Sequence, residues 1–232
     1  MKPQQRIAIA TPHARYDHLE RVLRDVHGFE IFRLRHRDEL SEERIASFGV
    51  SHIFFPHWSW LIPESIHQHY ECVVFHMTDL PFGRGGSPLQ NLIRRGIYET
   101  QLSALRVNAG LDTGPIYLKR PLSLYGSAEE IYLRAAQIME GMISEIVQGS
   151  LRPEPQQGEP TVFPRLRPQD GSIAALESLG QVHDWIRMLD ADGYPRAFIR
   201  IGHLRLEFER SRRDVDSVSA DVRITIVPET GV

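Results

Sequence analysis

The sequence predicts an α/β fold, in which a Rossmann-like, mostly parallel sheet is followed by a small mixed C-terminal subdomain. Two observations support this. In the first 70 residues, short apolar strand-like stretches alternate with stretches whose apolar positions recur at helical spacing. After Leu151 the chain becomes rich in Pro, Gln and Gly, and a predicted helix and three short strands follow. We therefore expect one domain at residues 1–150 and a subdomain at 151–232 that begins with a linker at about 151–168.

The N-terminal elements follow from the spacing of apolar residues and from the residues that end each stretch. Apolar residues recur at helical spacing between Leu19 and Val26, and Gly28 provides the stop. Because strands and helices alternate, the strands should be parallel and the crossovers right-handed. The predicted strands are residues 6–10, 29–33, 52–55, 72–75 and 102–107, and further helices begin at Ser41 and at Ser127, the latter with Glu130 in a capping box.

Glycine-rich signals for nucleotide binding are missing or incomplete. The first strand is followed by Thr11-Pro12-His13-Ala14-Arg15, so the Gly-x-Gly-x-x-Gly fingerprint of dinucleotide-binding proteins is absent there. The glycine-rich loop at residues 83–88 lacks the Lys-Ser/Thr of a Walker loop. A Rossmann-like sheet in this chain therefore predicts neither NAD binding nor NTP hydrolysis.

The composition is that of an ordinary globular protein of 232 residues, with a formal net charge of -3 and a sequence pI near 6.4. This weak acidity favours a small-molecule partner over nucleic acid, although it leaves room for a local basic patch. The single cysteine, Cys72, excludes an internal disulfide framework and is more typical of a core residue than of a nucleophile. No stretch has the pattern of a membrane span or a signal peptide, so we expect a cytoplasmic protein.

We predict no metal site. His67 and His69 lie two positions apart, so on a helix their side chains point in different directions. No further cluster of Cys, His or Asp accompanies them. A solvent-exposed pair of histidines is the simpler interpretation.

The residues with the strongest chemical character are His76 and Asp112. His76 follows the apolar strand 72–75, at the edge of the sheet where open α/β folds bind ligands. Asp112 lies in a turn bounded by Gly110 and Gly114, after the predicted strand 102–107. A His and an Asp on neighbouring loops can form an acid–base pair. On spacing alone, an ordinary pair of loop residues is the more frequent explanation.

These residues belong to a pattern that resembles the folate-dependent formyltransferases, and the resemblance makes catalysis the better interpretation. It implies a formyltransferase core. The family's Asn-x-His, Leu-Pro, Arg-Gly and Pro pattern looks like residues 74–76, 80–81, 84–85 and 88, its Leu-Asp-x-Gly loop looks like residues 111–114, and Glu99-Thr100 also falls in register. The segments at 167–171, 186–189 and 194–198 resemble the C-terminal part of the sugar-nucleotide N-formyltransferases.

The resemblance implies transfer of a formyl group from 10-formyltetrahydrofolate to a primary amine. His76 would donate a hydrogen bond to the formyl oxygen or relay a proton, and Asp112 would orient His76 or accept the proton of the amine. In register with the family, folate would bind at Trp58, Trp60, Leu61, Ile62, Leu80, Pro81, Thr113 and Gly114, and the substrate at Arg84, Gly85 and Ser87. As alternatives to these binding roles, Trp58 and Trp60 could equally cap the sheet edge, and Arg84 could equally brace its loop.

One position departs from the family pattern, because Val74 stands where these enzymes carry a catalytic Asn. Loss of one such donor to a developing oxyanion typically costs on the order of 3 kcal/mol. Asn108 is the leading replacement donor, ahead of Asn91, Thr78 and a backbone N–H. Slow turnover and loss of formyl transfer are the alternatives.

An amino sugar linked to a nucleotide is the expected substrate, since the C-terminal unit is short, its sequence resembles the sugar-nucleotide enzymes and the chain is mildly acidic. Nucleic acid is accordingly expected to be an unlikely partner, no membrane partner is expected, and a homodimer is left open. The alternatives are a methionyl-tRNA formyltransferase, formylation of another small amine, and a non-catalytic folate- or nucleotide-binding protein. A tRNA enzyme should show a concentrated basic face on the C-terminal unit, with candidates Arg196, Arg200, Arg205, Arg210, Arg212 and Arg213.

Overall fold

The computed structural model describes residues 4–149 and 151–227. The strands within these ranges are β1 Arg6–Ala10, β2 Glu30–Leu34, β3 His52–Phe55, β4 Glu71–His76, β5 Arg84–Gly85, β6 Glu99–Arg106, β7 Ile116–Ser123, β8 Val162–Phe163, β9 Ala197–Ile201, β10 Leu204–Arg213 and β11 Val218–Ile226. The α-helices are α1 Asp17–Asp25, α2 Glu42–Phe48, α3 Glu64–His67, α4 Pro88–Ile93, α5 Ala128–Gln148 and α6 Leu179–Leu189.

The main sheet has six strands in the order β2-β1-β3-β4-β6-β7. β1 pairs in parallel with β2 and β3, and β3 pairs in parallel with β4, whereas β4 and β6 run antiparallel. This confirms the predicted α/β fold with a mostly parallel sheet. Because β1, β3 and β4 are parallel, their C-terminal ends share one edge, so the residues after each strand can meet there.

The central strands are apolar because both of their faces are covered. Ile7, Ile9 and Ile53 are each 0% exposed. Cys72 on β4 is also buried, and this burial raises the pKa of its thiol to about 12. The thiolate needed for nucleophilic chemistry is therefore disfavoured, and Cys72 acts as a small core residue.

Two helix starts follow the predicted capping chemistry. The side chain of Ser41 accepts a hydrogen bond from the backbone N–H of Arg44 at the start of α2, and Gly49 ends that helix with φ 60°. Before α5, the backbone N–H of Ser127 donates to the Glu130 carboxylate (2.7 Å), while the N–H of Glu130 donates to the Ser127 hydroxyl (3.3 Å). This is the reciprocal capping box that the sequence predicts.

The chain divides into two compact units that are interleaved along the sequence. The first unit comprises residues 1–85, 100–122 and 132–162, and the second comprises residues 86–99, 123–131 and 163–232, within the limits of the described residues. The predicted boundary near Leu151 falls inside the first unit. The residues after Leu151 stay in the first unit because Glu154 and Ile116, which both belong to it, exchange two backbone hydrogen bonds of 2.8 and 2.9 Å.

The second unit contains a three-stranded antiparallel sheet in the order β11-β10-β9, together with α6. The buried Arg187 of α6 holds this unit together, since it donates to the carboxylate of Asp184 (2.7 Å) and to the carbonyls of Leu124 (2.6 Å) and Gly126 (2.9 Å). These segments lie far apart in sequence, so the predicted C-terminal subdomain also needs residues from the middle of the chain.

Neither a transmembrane helix nor a metal cluster is found in the described ranges. Among residues 4–149 and 151–227, no helix has both the length and the apolar character to span a bilayer. Over the same residues, no group of three or more His, Cys, Asp or Glu side chains is arranged to hold a metal ion.

Candidate active site

His76 is the last residue of β4 and is 7% exposed. Its Cα is paired with that of Ser103 on β6, which fixes it at the C-terminal edge of the parallel strands. Its Nε2 lies 2.7 Å from the carbonyl oxygen of Gly83. A carbonyl can only accept, so Nε2 carries the proton and Nδ1 of the neutral ring is bare.

Asp112 lies beside that bare nitrogen. Its Oδ2 is 3.6 Å from His76 Nδ1 and also accepts a 2.9 Å hydrogen bond from the backbone N–H of Gly85. The residue adopts a left-handed backbone conformation, φ 53°, which Asp tolerates better than most residues. The structure thus brings together the two residues that the sequence singled out.

Close packing requires a glycine at position 114, two residues after Asp112. A Cβ on Gly114 would lie 1.7 Å from the carbonyl oxygen of Arg106. The Asp112 loop can therefore fold against the end of β6 only with glycine at this position.

The geometry of the pair suits proton acceptance. A distance of 3.6 Å between His76 Nδ1 and Asp112 Oδ2 is longer than a hydrogen bond but short enough for strong charge attraction. If Nδ1 takes a proton, the imidazolium faces the carboxylate directly, while Nε2–H stays bonded to Gly83. The arrangement favours a role for His76 as a base that Asp112 stabilises.

The loop after β3 carries the predicted folate residues Trp58, Trp60, Leu61 and Ile62. The Trp58 ring lies edge-on to Phe55 (5.7 Å between centroids) and to Trp60 (4.7 Å). Trp58 and Ile62 pack against the apolar core. The Trp60 and Leu61 side chains are 37% and 87% exposed. Trp58 thus packs against the core, while Trp60 and Leu61 offer apolar surface, and a role in folate binding stays a prediction for all four residues.

The other predicted folate residues lie on two loops of the same unit. Leu80 and Pro81 are buried and joined by a cis peptide bond, and the Leu80 carbonyl accepts a hydrogen bond from Lys119. Thr113 donates from its hydroxyl to the side-chain oxygen of Asn108 (2.8 Å). A role in folate binding stays a prediction for all of them.

Arg84 has the bracing role that the sequence left open. Its Nε and Nη2 both donate to the side-chain oxygen of Gln156, at 3.0 and 2.7 Å. Its neighbour Gly85 donates to Asp112. Ser87 belongs to the second unit, where its hydroxyl accepts from the backbone N–H of Leu166 (3.0 Å). Substrate binding by Arg84, Gly85 and Ser87 stays a prediction.

Asn108, the proposed replacement donor, follows β6 at the opposite end of the strand pair. Arg106 is paired with Val73, and the N–H of Val107 donates to the carbonyl of Cys72, so Asn108 lies beyond the Glu71 end of β4. Its side-chain oxygen accepts from Gly110 N and Thr113 Oγ1 within its own loop. This geometry favours a loop-shaping role and gives no support to the oxyanion role, which stays a prediction.

The other candidate donors are also engaged. The Asn91 amide nitrogen donates to three backbone carbonyls of the second unit, those of Gly86, Ser87 and Pro164. Thr78 is fully buried, and its hydroxyl lies 3.4 Å from the carbonyl of Gly83. Val74 is half-buried and packs against the apolar core.

Two features near this edge were not predicted from the sequence. Gln156 contacts both Arg84 and the Asp112 loop, although its segment reads only as a Pro/Gln-rich linker. His57, with φ 55°, has its ring between those of His13 (4.3 Å) and Tyr132 (4.5 Å). A non-glycine residue with positive φ leaves no signal in a single sequence.

Comparisons with known proteins connect this geometry to one family. A family model described as the C-terminal domain of methionyl-tRNA formyltransferase matches residues 168–225. A solved methionyl-tRNA formyltransferase from Clostridium thermocellum has 45% sequence identity and a TM-score of 0.92, over 96% of this chain and 99% of that chain. The methionyl-tRNA formyltransferase of Clavibacter michiganensis is 28% identical over 218 residues, which are 86% of this chain and 68% of that protein.

A more distant likeness shows the fold alone. HypX from Aquifex aeolicus, solved in complex with tetrahydrofolic acid, has a TM-score of 0.75 at 15% identity, over 90% of this chain and 38% of that chain. Other curated methionyl-tRNA formyltransferases are matched over 40 to 52% of their length. This chain therefore spans about half the length of those relatives.

Proposed function

Since this chain belongs to the formyltransferase family, we propose that it transfers a formyl group from 10-formyltetrahydrofolate to the α-amine of methionine carried by tRNA. The predicted family, the formyl-transfer activity and the folate donor are confirmed at the level of the family. The tRNA substrate rests above all on 45% identity to the Clostridium thermocellum enzyme over nearly the whole of both chains.

The prediction of an amino sugar nucleotide as substrate is wrong, and so is the prediction that nucleic acid is an unlikely partner. The relatives at 45% and 28% identity are methionyl-tRNA formyltransferases. The sequence misled for a physical reason, because a net charge of -3 describes the whole chain and not the surface that meets a ligand. A tRNA substrate also supports the cytoplasmic location that we expected.

Residues 58–62 fit a flat heteroaromatic ligand. The buried Nε1 of Trp58 has no hydrogen-bond partner among the described residues, and an unpaired buried donor costs about 1 to 3 kcal/mol. Trp60 contacts Trp58 edge-on and is partly exposed, so a movement of Trp60 would open this donor to a ligand. Leu61 adds exposed apolar surface at the same place. When bound, 10-formyltetrahydrofolate supplies the electrophilic formyl carbon.

The proposed role of His76 is to take the proton that the amine must lose. Its Nε2–H is held by the Gly83 carbonyl, so the free acceptor is Nδ1. Asp112 stabilises the resulting imidazolium through its charge, and the backbone N–H of Gly85 keeps the carboxylate in place. With Nε2–H committed to Gly83, the neutral ring has no second N–H for an oxyanion.

The expected basic face on the second unit is mostly neutralised. Four of the six candidate arginines are ion-paired within that unit: Arg196 with Asp190 and Glu209, Arg205 with Glu207, Arg210 with Glu209 and Asp221, and Arg212 with Asp214. For Arg200 and Arg213, no ion pair is found over residues 4–149 and 151–227, and both are exposed. We propose that these two arginines contact tRNA phosphates.

A formylation assay tests the proposed function. The full-length protein is incubated with 10-formyltetrahydrofolate and methionyl-tRNA, the ester bond is hydrolysed, and formylmethionine is detected by mass spectrometry. We expect formylmethionine from methionyl-tRNA and none from free methionine. Formylation of free methionine or another small amine, with none on the tRNA, would contradict the proposal. Folate binding without any product would point to a non-catalytic binding protein.

A further inference from the structure

A segment outside the predicted site contacts the backbone of Asp112 and also Gly83, whose carbonyl accepts the hydrogen bond from His76. This segment, residues 154–161, begins where Glu154 pairs with Ile116 and ends where the N–H of Thr161 donates to the Pro81 carbonyl (3.2 Å). All of these residues lie in the first unit. In the sequence the segment reads as part of a linker, so neither its position nor its contacts were expected.

Gln156 uses its whole amide group in four hydrogen bonds. Its Nε2 donates to the backbone carbonyls of Asp112 and Gly114, both at 2.8 Å. Its Oε1 accepts twice from the guanidinium of Arg84. The partners fix the orientation of the amide, since carbonyls only accept and a guanidinium only donates. Gln156 therefore joins the Asp112 loop to the strand that carries Gly85.

Thr161 fixes the other side of the pair. The N–H of Gly83 donates to the Thr161 hydroxyl (2.7 Å), and the N–H of Arg84 donates to the Thr161 carbonyl (2.9 Å). The carbonyl of the same Gly83 accepts the hydrogen bond from His76 Nε2. The segment thus holds the group that sets the His76 tautomer, as well as the loop that carries Asp112.

We infer that Gln156 is a positioning residue that sets the distance between Asp112 and His76 by clamping the carbonyls of Asp112 and Gly114. The inference rests on the proposed function for its catalytic consequence, but the clamp itself is a property of the fold. Asp112 acts on His76 by charge across 3.6 Å without a hydrogen bond between the two side chains. Its position must therefore come from its own loop and from the N–H of Gly85, which donates to its carboxylate. A displacement of about 1 Å in a catalytic group can cost a hundredfold in rate.

Two substitutions separate the clamp from the bond to Arg84. Gln156→Met keeps the size and shape of the side chain but removes all four hydrogen bonds. Gln156→Glu keeps an acceptor for Arg84 but places a carboxylate against the carbonyl oxygens of Asp112 and Gly114. We expect kcat to fall by about 10- to 100-fold in Gln156→Met and at least as far in Gln156→Glu, with KM for methionyl-tRNA changed by less than about threefold.

The matched control is Gln157→Ala, which should keep wild-type kcat. Gln157 is exposed and makes no hydrogen bond within the described part of the chain. Melting temperatures of all variants show that they are folded. Wild-type kcat in Gln156→Glu would mean that the bond to Arg84 is sufficient, and this result would overturn the inference.

A second measurement does not depend on activity. The Gly85 amide proton is hydrogen-bonded to Asp112 Oδ2, so its NMR chemical shift reports the position of that carboxylate. In both Gln156 variants, the signal should move toward its position in Asp112→Ala, whereas Gln157→Ala should leave it in place. An unmoved signal in the Gln156 variants overturns the clamp. An inactive wild-type protein would contradict the proposed function, and the Gly85 signal would still decide the role of Gln156.

Discussion

His76 Nδ1 faces Asp112 Oδ2 at 3.6 Å, while the other nitrogen of the same ring donates to the carbonyl of Gly83 at 2.7 Å. The two contacts divide the ring into one nitrogen that holds the tautomer and one that is ready to accept a proton. Of the two roles the sequence suggested for His76, the geometry favours the relay of a proton over donation to an oxyanion.

The first prediction concerns this pair. His76→Ala and Asp112→Ala should each lower kcat by about a hundredfold or more while the fold is kept, because each removes one half of the proton-accepting unit. Steady-state formylation kinetics measure the effect. His69→Ala is the control, since His69 lies on an exposed turn and should leave the rate unchanged. Activity within a few-fold of wild type in either active-site variant would end the assignment.

A second prediction is that folate binds without the amine substrate, near Trp58 and Trp60. Tetrahydrofolate should change the intrinsic fluorescence, since Trp60 is partly exposed and contacts Trp58. Trp60→Phe should remove most of this change, whereas Trp185→Phe, in the second unit, should keep it. No heat of binding in calorimetry at millimolar tetrahydrofolate would refute the site.

The third prediction concerns Val74. If another group holds the oxyanion, Val74→Asn should gain little in kcat. It should destabilise the fold, because the half-buried Val74 packs against the apolar core, where an unpaired amide costs about 1 to 3 kcal/mol. If the donor is simply missing, Val74→Asn should raise kcat strongly, by up to about a hundredfold. Steady-state kinetics and thermal melts on this one variant separate the two cases.

Asn108→Ala tests the replacement donor directly. The register and the loop contacts of Asn108 lead us to expect kcat within about threefold of wild type, with a lower melting temperature because the Thr113 and Gly110 bonds are lost. A loss on the order of a hundredfold in kcat with an unchanged melting temperature would instead establish Asn108 as the oxyanion donor.

The fourth prediction is a dependence of stability on pH. Burial lowers the pKa of His57 to about 3, with smaller contributions from the charges of His13 and Arg15. In the unfolded chain the pKa of this histidine is near 6.5. Between about pH 3 and pH 6.5, His57 is protonated in the unfolded chain and neutral in the folded protein. The stability due to neutral His57 is therefore complete above about pH 6.5 and is lost as the pH falls toward 3.

Urea unfolding at pH 7 and pH 5 measures this effect. Between these values the wild type should lose about 2 kcal/mol more than His57→Asn, which removes the titrating group. Asn is chosen because it tolerates the positive φ of this position. Equal losses in the two proteins would show that His57 is protonated in the fold.

The order of elements could be predicted because apolar spacing and capping chemistry act locally. Strands β1 and β3 and the capping box at Ser127 follow such local rules and were found where expected. The path of residues 151–162 could not be predicted, because a Pro/Gln-rich stretch has no apolar period. Its position depends on long-range backbone bonds such as the pairing of Glu154 with Ile116.

In the candidate site, too, the locally determined features could be predicted and the long-range contacts could not. His76 and Asp112 could be placed on neighbouring loops, since a strand end and a glycine-bounded turn can be read from the residues. The supporting contacts of Gly83, Gln156 and Thr161 could not be predicted, because each depends on which backbone groups meet after folding. The substrate was missed because whole-chain charge does not report on a local surface.

The interleaving of the two units limits how this protein can be divided or recombined. The polypeptide passes between them at five points, after residues 85, 99, 122, 131 and 162. A fragment that starts at Phe163 would lack Tyr98 and the carbonyl of Leu124, which bond to Asp184 and Arg187 in the second unit. A single cut thus cannot release either unit whole, so neither is an independent cassette for gene fusion or domain exchange.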